Sequence, residues 1–362
     1  MLLIKSIFIS QEPPPVNGQS VANVGFRKLF ESNGIQVSHL STSSKTNVVR
    51  LKKISYRLIS LFHNCLEIIR SGTAADFFYI SLAANLGKIE SLIYVCLISI
   101  IKKDVLVHHH TYSHIKYKSF PLICINSIIR NRGYHIFNCE GMKREYCDKY
   151  DFPMEKCFSF PNMLIMGGLP TFKRLNKKVD NVVLGHMSNL SFDKGLSVVV
   201  DSFIEAKNTG LADKLILAGP FGSENEEKYI KDVLSKESSI DYIGPVYGED
   251  KSKFFRDLTI FLFPSVYKNE TQGIVNIESI CNSVPVIAYN QCCIAETIGS
   301  AGSCINRNED FSAHLQDILY KIKNEDLYGI FLENCNVQYN NLLSKSNLEK
   351  NIFFDFIKKK YS

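Results

Sequence analysis

The chain has 362 residues, of which 45% are hydrophobic and 22% are charged. That length suggests two domains, and that balance is typical of a globular protein and excludes a disordered or collagen-like chain. The net charge of +6 is uneven, since residues 1–166 contain 20 Lys/Arg and 11 Asp/Glu whereas residues 167–362 contain 22 and 25. The basic first half predicts an anionic partner, with nucleic acid and a phospholipid surface as the two candidates.

Strands and helices alternate along the first half of the chain. A helix is expected near Val21–Ser32, stopped by Gly34, and further helices fill the gaps between strands. The predicted strands are Leu2–Ile9, Ile35–His39, Asp76–Ser81, Val105–His109, Tyr134–Phe137 and Cys157–Phe160. Residues 166–180 are rich in Gly and Pro and then basic, which is typical of a linker between domains.

The alternation restarts after the linker. Helices are expected from Gly195, Glu224 and Gly273, and helical segments dominate from Glu309 onward. The predicted strands are Val182–His186, Lys214–Ala218, Ile240–Ile243, Thr259–Phe263 and Val284–Ala288. Alternating strands and helices form right-handed βαβ units and parallel sheets. We therefore predict two doubly wound α/β domains, at residues 1–165 and 181–340, that face each other across a cleft holding the ligand.

The densest group of functional residues lies in FPSVYKNETQGIVNIESICNSVPVIA, residues 263–288. A loop carries Glu270, Gly273 opens a helix, and Glu278 lies within that helix. The first N–H groups of a helix are unpaired and face the positive end of its dipole, so Gly273, Ile274 and Val275 are suited to a diphosphate. Eight residues at a helical rise of ~1.5 Å each place the two glutamates at most ~12 Å apart. That is about the distance from the ribose of a nucleotide to the sugar on its diphosphate. A carboxylate can accept two hydroxyl hydrogen bonds, as a vicinal diol requires.

This segment resembles the E-x7-E motif of the retaining glycosyltransferases of family 4, which have the GT-B fold of two Rossmann-like domains. The remaining matches cover roughly residues 1–340 and occur in the family's order. They are Asn17-Gly18, the histidines 108–110 at a strand end, Phe160-Pro161-Asn162, Lys194-Gly195 in SNLSFDKG, KLILAG at 214–219 and IGPVYG at 243–248. Asn189 stands where the family usually has an arginine, and Gln272 where it often has an aromatic residue.

The resemblance implies a role for each matching residue. Glu270 would contact the transferred sugar, Glu278 the ribose, and Lys194 the leaving diphosphate, with His110 as a further catalytic residue. The other expected donor-binding residues are Asn17, Gly18, Asn162, Asn189, Pro245, Val246, Gly273, Ile274 and Val275. The family retains the anomeric configuration, and its C-terminal helix, here residues 341–362, returns to the first domain. No Asp-x-Asp occurs in the chain, so we expect no metal and no cofactor, with the nucleotide sugar as a substrate.

Four histidines lie close together, His108, His109, His110 and His114. Successive residues of a strand face opposite sides of the sheet, so they cannot all face one site. A zinc site is an alternative, although no Cys or carboxylate ligands stand at suitable spacing. Packing in the core is another alternative for each of them. His110, at the strand end, is the first choice for a contact with the sugar, and His109 is the second.

A basic segment defines a candidate membrane-facing surface. If Val48–Phe62 is a helix, Leu51, Ile54, Leu58, Leu61 and Phe62 share one face. The basic residues assigned to the membrane are Arg50, Lys52, Lys53 and Arg57. Such a helix either covers the sheet as an ordinary amphipathic helix or lies on anionic lipid. The C-terminal NIFFDFIKKKYS adds a basic and aromatic tail that could lie on the same side.

These observations favour a glycosyltransferase acting at the inner face of a bacterial membrane. The expected localisation is cytoplasmic and peripheral. The expected acceptor is a saccharide, linked to polyprenyl diphosphate, in O-antigen, capsule or lipopolysaccharide assembly. Two alternatives are a catalytically inactive nucleotide-sugar-binding protein and a GT-B nucleotide-sugar epimerase. The sequence lacks the helix-turn-helix and aromatic signatures of nucleic-acid-binding proteins, so no nucleic acid is expected as a partner.

Overall fold

The computed structural model describes residues 3–14, 17–43, 50–82, 87–166 and 179–362. The chain divides into two compact units, one made of Met1–Gly168 with Lys345–Ser362 and the other of Leu169–Ser344. Each unit holds one six-stranded parallel sheet. Residues 167–178, which form most of the predicted linker, lie outside the described residues.

The first unit contains all six strands predicted for it. They are β1 (Lys5–Ser10), β2 (Gln36–Ser41), β3 (Phe77–Ser81), β4 (Asp104–His109), β5 (Gly133–Phe137) and β6 (Cys157–Ser159). Their order in the sheet is β2-β1-β3-β4-β5-β6. β3 to β5 are buried over their length apart from the first residue of β4, as expected for a parallel sheet covered on both faces.

The described helices of the first unit connect these strands. They are α1 (Gly18–Ser32), α2 (Arg50–Ser71), α3 (Gly87–Ile100), α4 (Ser113–Lys116), α5 (Phe120–Ile129) and α6 (Glu140–Tyr150). Asn17 caps α1, since its side chain accepts the Ser20 N–H at 2.9 Å and the Ser20 hydroxyl accepts the Asn17 N–H at 2.9 Å. This reciprocal pair satisfies two backbone donors at the helix start. Helix α2 continues past its predicted end at Phe62.

The core of the first unit is aromatic and includes the C-terminal segment of the chain. Phe30 packs edge-on against Phe354, with ring centroids 5.1 Å apart. Phe353 is fully buried and lies 5.1 Å from Phe158. The Tyr361 hydroxyl donates to Asp104 Oδ2 at 2.9 Å. The interpretation of NIFFDFIKKKYS as a lipid-facing tail is therefore wrong for its buried aromatic residues, because they complete a protein core.

The second unit contains the five predicted strands and one that was not predicted. They are β7 (Val183–Met187), β8 (Lys214–Ala218), β9 (Ile240–Tyr242), β10 (Ile260–Phe263), β11 (Val286–Tyr289) and the additional β12 (Gly302–Ile305). The helices are α7 (Leu196–Asn208), α8 (Glu224–Lys236), α9 (Glu249–Arg256), α10 (Ile274–Cys281), α11 (Ile294–Ile298) and α12 (Phe311–Asn324). A long helix, α13 (Leu327–Tyr361), begins in this unit and ends in the first.

The strand order reverses in the middle of the second sheet. The order is β12-β11-β10-β7-β8-β9, so the chain builds outward from β7 to β9 and then returns to place β10 on the other side of β7. Phe203 of α7 belongs to the core on one face of the sheet, and Ile280 of α10 belongs to the core on the other. Ligands of doubly wound sheets bind at such a reversal, beyond the carboxyl ends of the strands.

A membrane-spanning helix needs about 20 consecutive, mostly apolar residues. Within the described ranges, no helix is both long enough and apolar enough to cross a membrane.

Candidate functional site

Lys194 and Glu270 meet at the reversal point of the second sheet. Lys194 ends a short 3-10 turn that follows β7, and Glu270 lies in the loop that follows β10. The Lys194 ammonium donates to Glu270 Oε2, and the two side chains are 20% and 11% exposed. Lys194 Nζ also lies 4.6 Å from the centre of the Tyr267 ring, a cation–π distance. The folded chain thus brings two of the predicted catalytic residues together.

Gly195 explains how the loops after β7 and β10 come into contact. Its φ is +85°, a left-handed conformation, and a Cβ at this position would lie 2.3 Å from the carbonyl oxygen of Pro264. Next to it, Val266 N–H donates to the Asp193 carbonyl at 2.9 Å. A side chain at position 195 would therefore push apart the two loops that carry Lys194 and Glu270.

Several groups hold the loop and side chain of Glu270 in place. The Ser265 hydroxyl donates to Glu270 Oε2 at 3.3 Å. The Glu270 N–H donates to the Tyr267 carbonyl at 2.9 Å, which closes a turn before the carboxylate. From the loop after β11, Gln291 Nε2 donates to the Tyr267 carbonyl at 2.7 Å. The carboxylate is therefore positioned before any ligand arrives, as an electrostatic site requires.

Gly273 caps the start of α10, as the sequence predicts. Its φ of +63° is left-handed, and its carbonyl accepts the Asn276 N–H at 2.8 Å. The N–H groups of Ile274 and Val275 belong to the first turn, which has no partners within the helix. This end of α10 therefore offers backbone donors and the positive end of a helix dipole to an anion.

Glu278 lies deeper along α10 and forms an ion pair that the sequence analysis missed. Its side chain is 11% exposed, and Lys251 Nζ of α9 donates to Oε1 at 2.8 Å and to Oε2 at 3.1 Å. Burial raises the pKa of Glu278, and the charge of Lys251 opposes that rise. Lys251 lies 27 residues before Glu278 in a charge-rich helix, so no local spacing signals the contact.

His186 links β7 to β10 and was also missed as a site-supporting residue. Its Nδ1 lies 2.9 Å from the Leu262 carbonyl and its Nε2 lies 2.8 Å from the Ser188 hydroxyl. Since a carbonyl only accepts, the proton lies on Nδ1 and the hydroxyl of Ser188 donates to Nε2. Burial lowers the pKa of His186 to about 4, and the charge of Lys194 adds to this effect. The available signal was a histidine in an otherwise apolar strand.

The remaining predicted donor-binding residues of the second unit, Asn189, Pro245 and Val246, take no part in the Lys194–Glu270 ion pair. Asn189 is exposed, and within the described residues no hydrogen bond joins its side chain to Lys194 or Glu270. Pro245 is exposed and Val246 half-buried in the loop between β9 and α9, the helix that carries Lys251. Their roles stay predictions.

The predicted site residues of the first unit follow the ends of three strands. Asn17 and Gly18 form the start of α1, after β1, at the point where the order of the first sheet reverses between β1 and β3. Asn162 is buried beyond β6, and His110 is buried immediately after β4. These positions follow the carboxyl ends of parallel strands, and the roles of these residues stay predictions.

The histidines of β4 lie on opposite faces of the sheet, as its period of two predicts. His108 and His110 share one side, with ring centroids 3.8 Å apart, and His108 Nδ1 lies 2.7 Å from the Tyr79 hydroxyl. On the other side, His109 Nε2 lies 2.8 Å from His135 Nδ1. Burial lowers the pKa of all four rings, that of His110 to about 3. Within the part of the chain that is described, these histidines form no group suited to a metal ion.

The exposed face of α2 decides against one of the two alternatives that the sequence leaves open for this helix. Leu58, Ile59 and Phe62 are 60%, 64% and 67% exposed, whereas an amphipathic helix covering the sheet would bury them. That alternative is therefore wrong for Leu58 and Phe62, although Ile68 further along the helix is fully buried. Arg57 pairs with Glu90 of α3. The side chains assigned to the membrane at Arg50, Lys52 and Lys53 lie outside the described residues.

A family model matches the second unit in sequence, and a solved structure resembles nearly the whole chain in fold. Residues 170–328 match the family model described as "Glycosyl transferases group 1". The capsular polysaccharide biosynthesis glycosyltransferase CapM of Staphylococcus aureus is 29% identical over 153 residues, 41% of this chain and 38% of that protein. An alpha-monoglucosyldiacylglycerol synthase of Streptococcus pneumoniae is 25% identical over 103 residues, 28% of this chain and 23% of that protein. The chain therefore matches less than two fifths of either relative's length.

Among solved structures, Anabaena Alr3699/HepE in complex with UDP-glucose has a TM-score of 0.67 at 14% identity. The likeness covers 97% of this chain and 99% of that one. At this identity the likeness shows the fold alone. That fold is GT-B, with one six-stranded parallel sheet and flanking helices in each unit, as the sequence predicts.

Proposed function

We propose that this protein is a glycosyltransferase that moves a sugar from a nucleotide-sugar donor to a saccharide acceptor with retention of the anomeric configuration. The observation that carries the proposal is the Lys194–Glu270 pair at the reversal point of the second sheet, beside the Gly273 helix start. The match of residues 170–328 to group 1 glycosyltransferases supports it. The UDP-glucose bound to the structurally similar HepE supports a nucleotide sugar as the donor.

Each group of the site has a distinct task in this reaction. Cleavage of the sugar–diphosphate bond leaves positive charge on the anomeric carbon and negative charge on the diphosphate. The Lys194 ammonium and the N–H groups at the start of α10 stabilise that negative charge. Glu270 accepts hydroxyl hydrogen bonds from the transferred sugar, and Glu278 accepts those of the ribose. The absence of Asp-x-Asp from the sequence supports a leaving group stabilised without a metal ion.

Retention is explained by attack on the same face of the sugar from which the diphosphate leaves. The departing phosphate oxygen accepts the proton of the acceptor hydroxyl, so no separate protein base is needed on that face. The role of Lys194 is then to keep the departing diphosphate in contact with the site while the acceptor approaches.

For the acceptor, we infer a lipid-linked saccharide, presented at the inner face of a plasma membrane as polyprenyl diphosphate. Leu58, Ile59 and Phe62 expose apolar surface on α2, next to Arg57 and within the basic first half of the chain. An exposed apolar stripe flanked by basic residues is suited to an anionic lipid surface. The similarity to CapM and to a monoglucosyldiacylglycerol synthase is consistent with a capsule-type or lipid acceptor.

The first experiment identifies the donor. The full chain is screened by thermal shift with UDP-, GDP-, ADP- and CMP-sugars, because a ligand at ~100 times its dissociation constant stabilises a protein by about 2.7 kcal/mol. Release of the free nucleotide is then measured with the stabilising donor and a polyprenyl-diphosphate-linked saccharide. Glu270→Gln is expected to lower turnover at least about a hundredfold, while Glu224→Gln, at an exposed position of α8, leaves it unchanged.

The same assay separates the alternatives. A donor that binds and is never turned over would indicate a nucleotide-sugar-binding protein, an alternative favoured by the exposed position of Asn189 where the family has an arginine. A donor converted to its epimer without transfer would indicate an epimerase. Absence of any nucleotide-sugar binding would contradict the proposal.

A further inference from the structure

The buried carboxylate of Glu278 meets the charge of Lys251. Lys251 Nζ sits between the two oxygens, at 2.8 Å and 3.1 Å. A carboxylate removed from water needs such a partner, since an uncompensated buried charge is strongly unfavourable. The lysine belongs to α9, so the state of Glu278 on α10 depends on a second helix.

Helix α9 is anchored so that Lys251 faces this carboxylate. Phe254 and Phe255 lie three and four positions further on, hence on the same side of the helix, and both are buried in the core that also contains Ile280 of α10. Lys253 points elsewhere, because its side chain is 64% exposed and pairs with Asp250. Lys251 therefore pairs with a buried carboxylate, whereas Lys253 of the same helix forms an exposed surface ion pair.

The Lys251 ammonium leaves lone pairs of the Glu278 carboxylate unoccupied. An ionised carboxylate offers about four lone-pair sites, and the ammonium occupies one on each oxygen. One site on each oxygen remains, which matches the two hydroxyls of a vicinal diol. The Lys251 side chain is 31% exposed, so one side of the pair lies near solvent.

We propose that Lys251 is a positioning residue that keeps Glu278 charged and oriented, so that its two oxygens select a nucleotide with an intact ribose diol. This inference rests on the proposed function, because it assigns to Glu278 the ribose of the donor. It adds a residue whose role is selectivity for ribose over deoxyribose, exerted through another side chain. The opposite possibility is a lock, in which Lys251 must release Glu278 before a ligand binds.

The test measures binding of paired nucleotides by calorimetry. The full chain is titrated with UDP, GDP and ADP and with the 2′,3′-dideoxy form of whichever binds best. Loss of a hydrogen bond to a charged carboxylate lowers affinity by about tenfold or more. We expect the wild type to prefer the ribose form at least about tenfold. In K251M that preference falls below about threefold, with affinity for the dideoxy form nearly unchanged.

Three further variants complete the experiment. K251R is expected to restore the ribose preference, and K253M, on the same helix, to match the wild type. K251Q keeps a polar chain of similar length and serves as a second neutral variant, with folding checked by circular dichroism.

Equal loss of affinity for both nucleotide forms would show a merely structural lysine and overturn the inference. An unchanged preference for the ribose form in K251M and K251Q would also overturn the inference. So would tighter binding of the ribose form by these variants, which is expected if Lys251 must release Glu278 before a ligand binds. A wild type that binds nucleotides without distinguishing ribose defeats this inference and the ribose role of Glu278, but leaves sugar transfer from a nucleotide donor standing. A wild type that binds no nucleotide sugar and no nucleotide defeats the proposed function with it.

Discussion

Lys194 and Glu270 are 76 residues apart in the sequence and form an ion pair in the folded second unit. The contact exists because β7 and β10 are neighbours in the sheet although β8 and β9 intervene along the chain. The loops after β7 and β10 therefore start from adjacent strand ends. The chemistry we assign to the site depends on this strand order as much as on the two side chains.

Replacing Lys194 by Met is expected to lower turnover of the bound nucleotide sugar by about 10²–10³-fold, because it removes a preorganised donor to the leaving diphosphate. Lys207→Met is the matched control, since Lys207 pairs with Glu237 at the end of α7. The double variant K194M/E270Q should be little slower than either single variant, because residues that act as a unit are not additive. Release of free nucleotide is measured for K194M, E270Q, the double variant and the control, and additive losses in the double variant would contradict a shared role.

Gly195→Ala is expected to destabilise the protein more than Gly210→Ala. Both glycines have left-handed φ angles, +85° and +71°, which disfavour a side chain by about 1–2 kcal/mol. A Cβ at 210 meets nothing within 4 Å, whereas one at 195 would lie 2.3 Å from the Pro264 carbonyl. Overpacking of this kind adds about 1–3 kcal/mol. Urea unfolding measures the difference, and equal losses would show that the loops are not tightly joined.

The free energy of unfolding is expected to fall as the pH drops from about 6.5 towards 4. Burial lowers the pKa of His110 and His135 to about 3 and that of His186 to about 4. Between these pH values the histidines of the unfolded chain bind protons, whereas the buried histidines of the folded chain stay neutral. Their contribution to the free energy of unfolding is therefore complete only above about pH 6.5 and falls as the pH is lowered. Each such histidine contributes up to about 1.4 kcal/mol per pH unit.

Urea unfolding at pH 7.5, 6.5 and 5.5 checks this dependence before most carboxylates titrate. His135→Gln should reduce the slope, because it removes one of the buried imidazoles. A free energy that does not change over this range would mean that the imidazoles are solvated.

The double variant Leu58→Ser/Phe62→Ser is expected to weaken binding to phosphatidylglycerol vesicles at least about tenfold. These side chains are 60% and 67% exposed, and burial of such a side chain in an apolar environment is worth about 1.5–3 kcal/mol. Ile352→Ser is the control, since Ile352 is 54% exposed on α13. Co-sedimentation measures binding. Equal binding by the double variant and the control would refute a membrane role for α2.

The regular elements near the site could be predicted from the sequence because their patterns are local. Apolar runs such as Lys214–Ala218 mark buried parallel strands, and Gly273 marks the start of α10 by its freedom to adopt a positive φ. β12 was missed because Gly302–Ile305 is short and follows a turn-forming Gly-Ser-Ala sequence. A four-residue segment becomes a strand here by pairing with β11, and its own sequence does not specify that partner.

The parts of the site that escaped prediction are long-range contacts. Lys251 pairs with Glu278 across two helices, and His186 joins β7 to the Leu262 carbonyl of β10. Neither contact has a periodicity or a spacing that the sequence could display. The exposure of Leu58 and Phe62 was left open for the same reason, because which face of α2 meets the protein is decided by elements elsewhere in the chain.

The last turns of α13 place Phe353, Phe354 and Ile357 in the core of the first unit. The rest of that unit comes from the first 168 residues of the chain. During translation, the polypeptide leaves the ribosome from its N-terminus, and domains generally fold as units in that order. Here the first sheet is synthesised early but lacks part of its packing until residues 345–362 emerge. The unit made first therefore reaches its native packing only after the second unit has been synthesised.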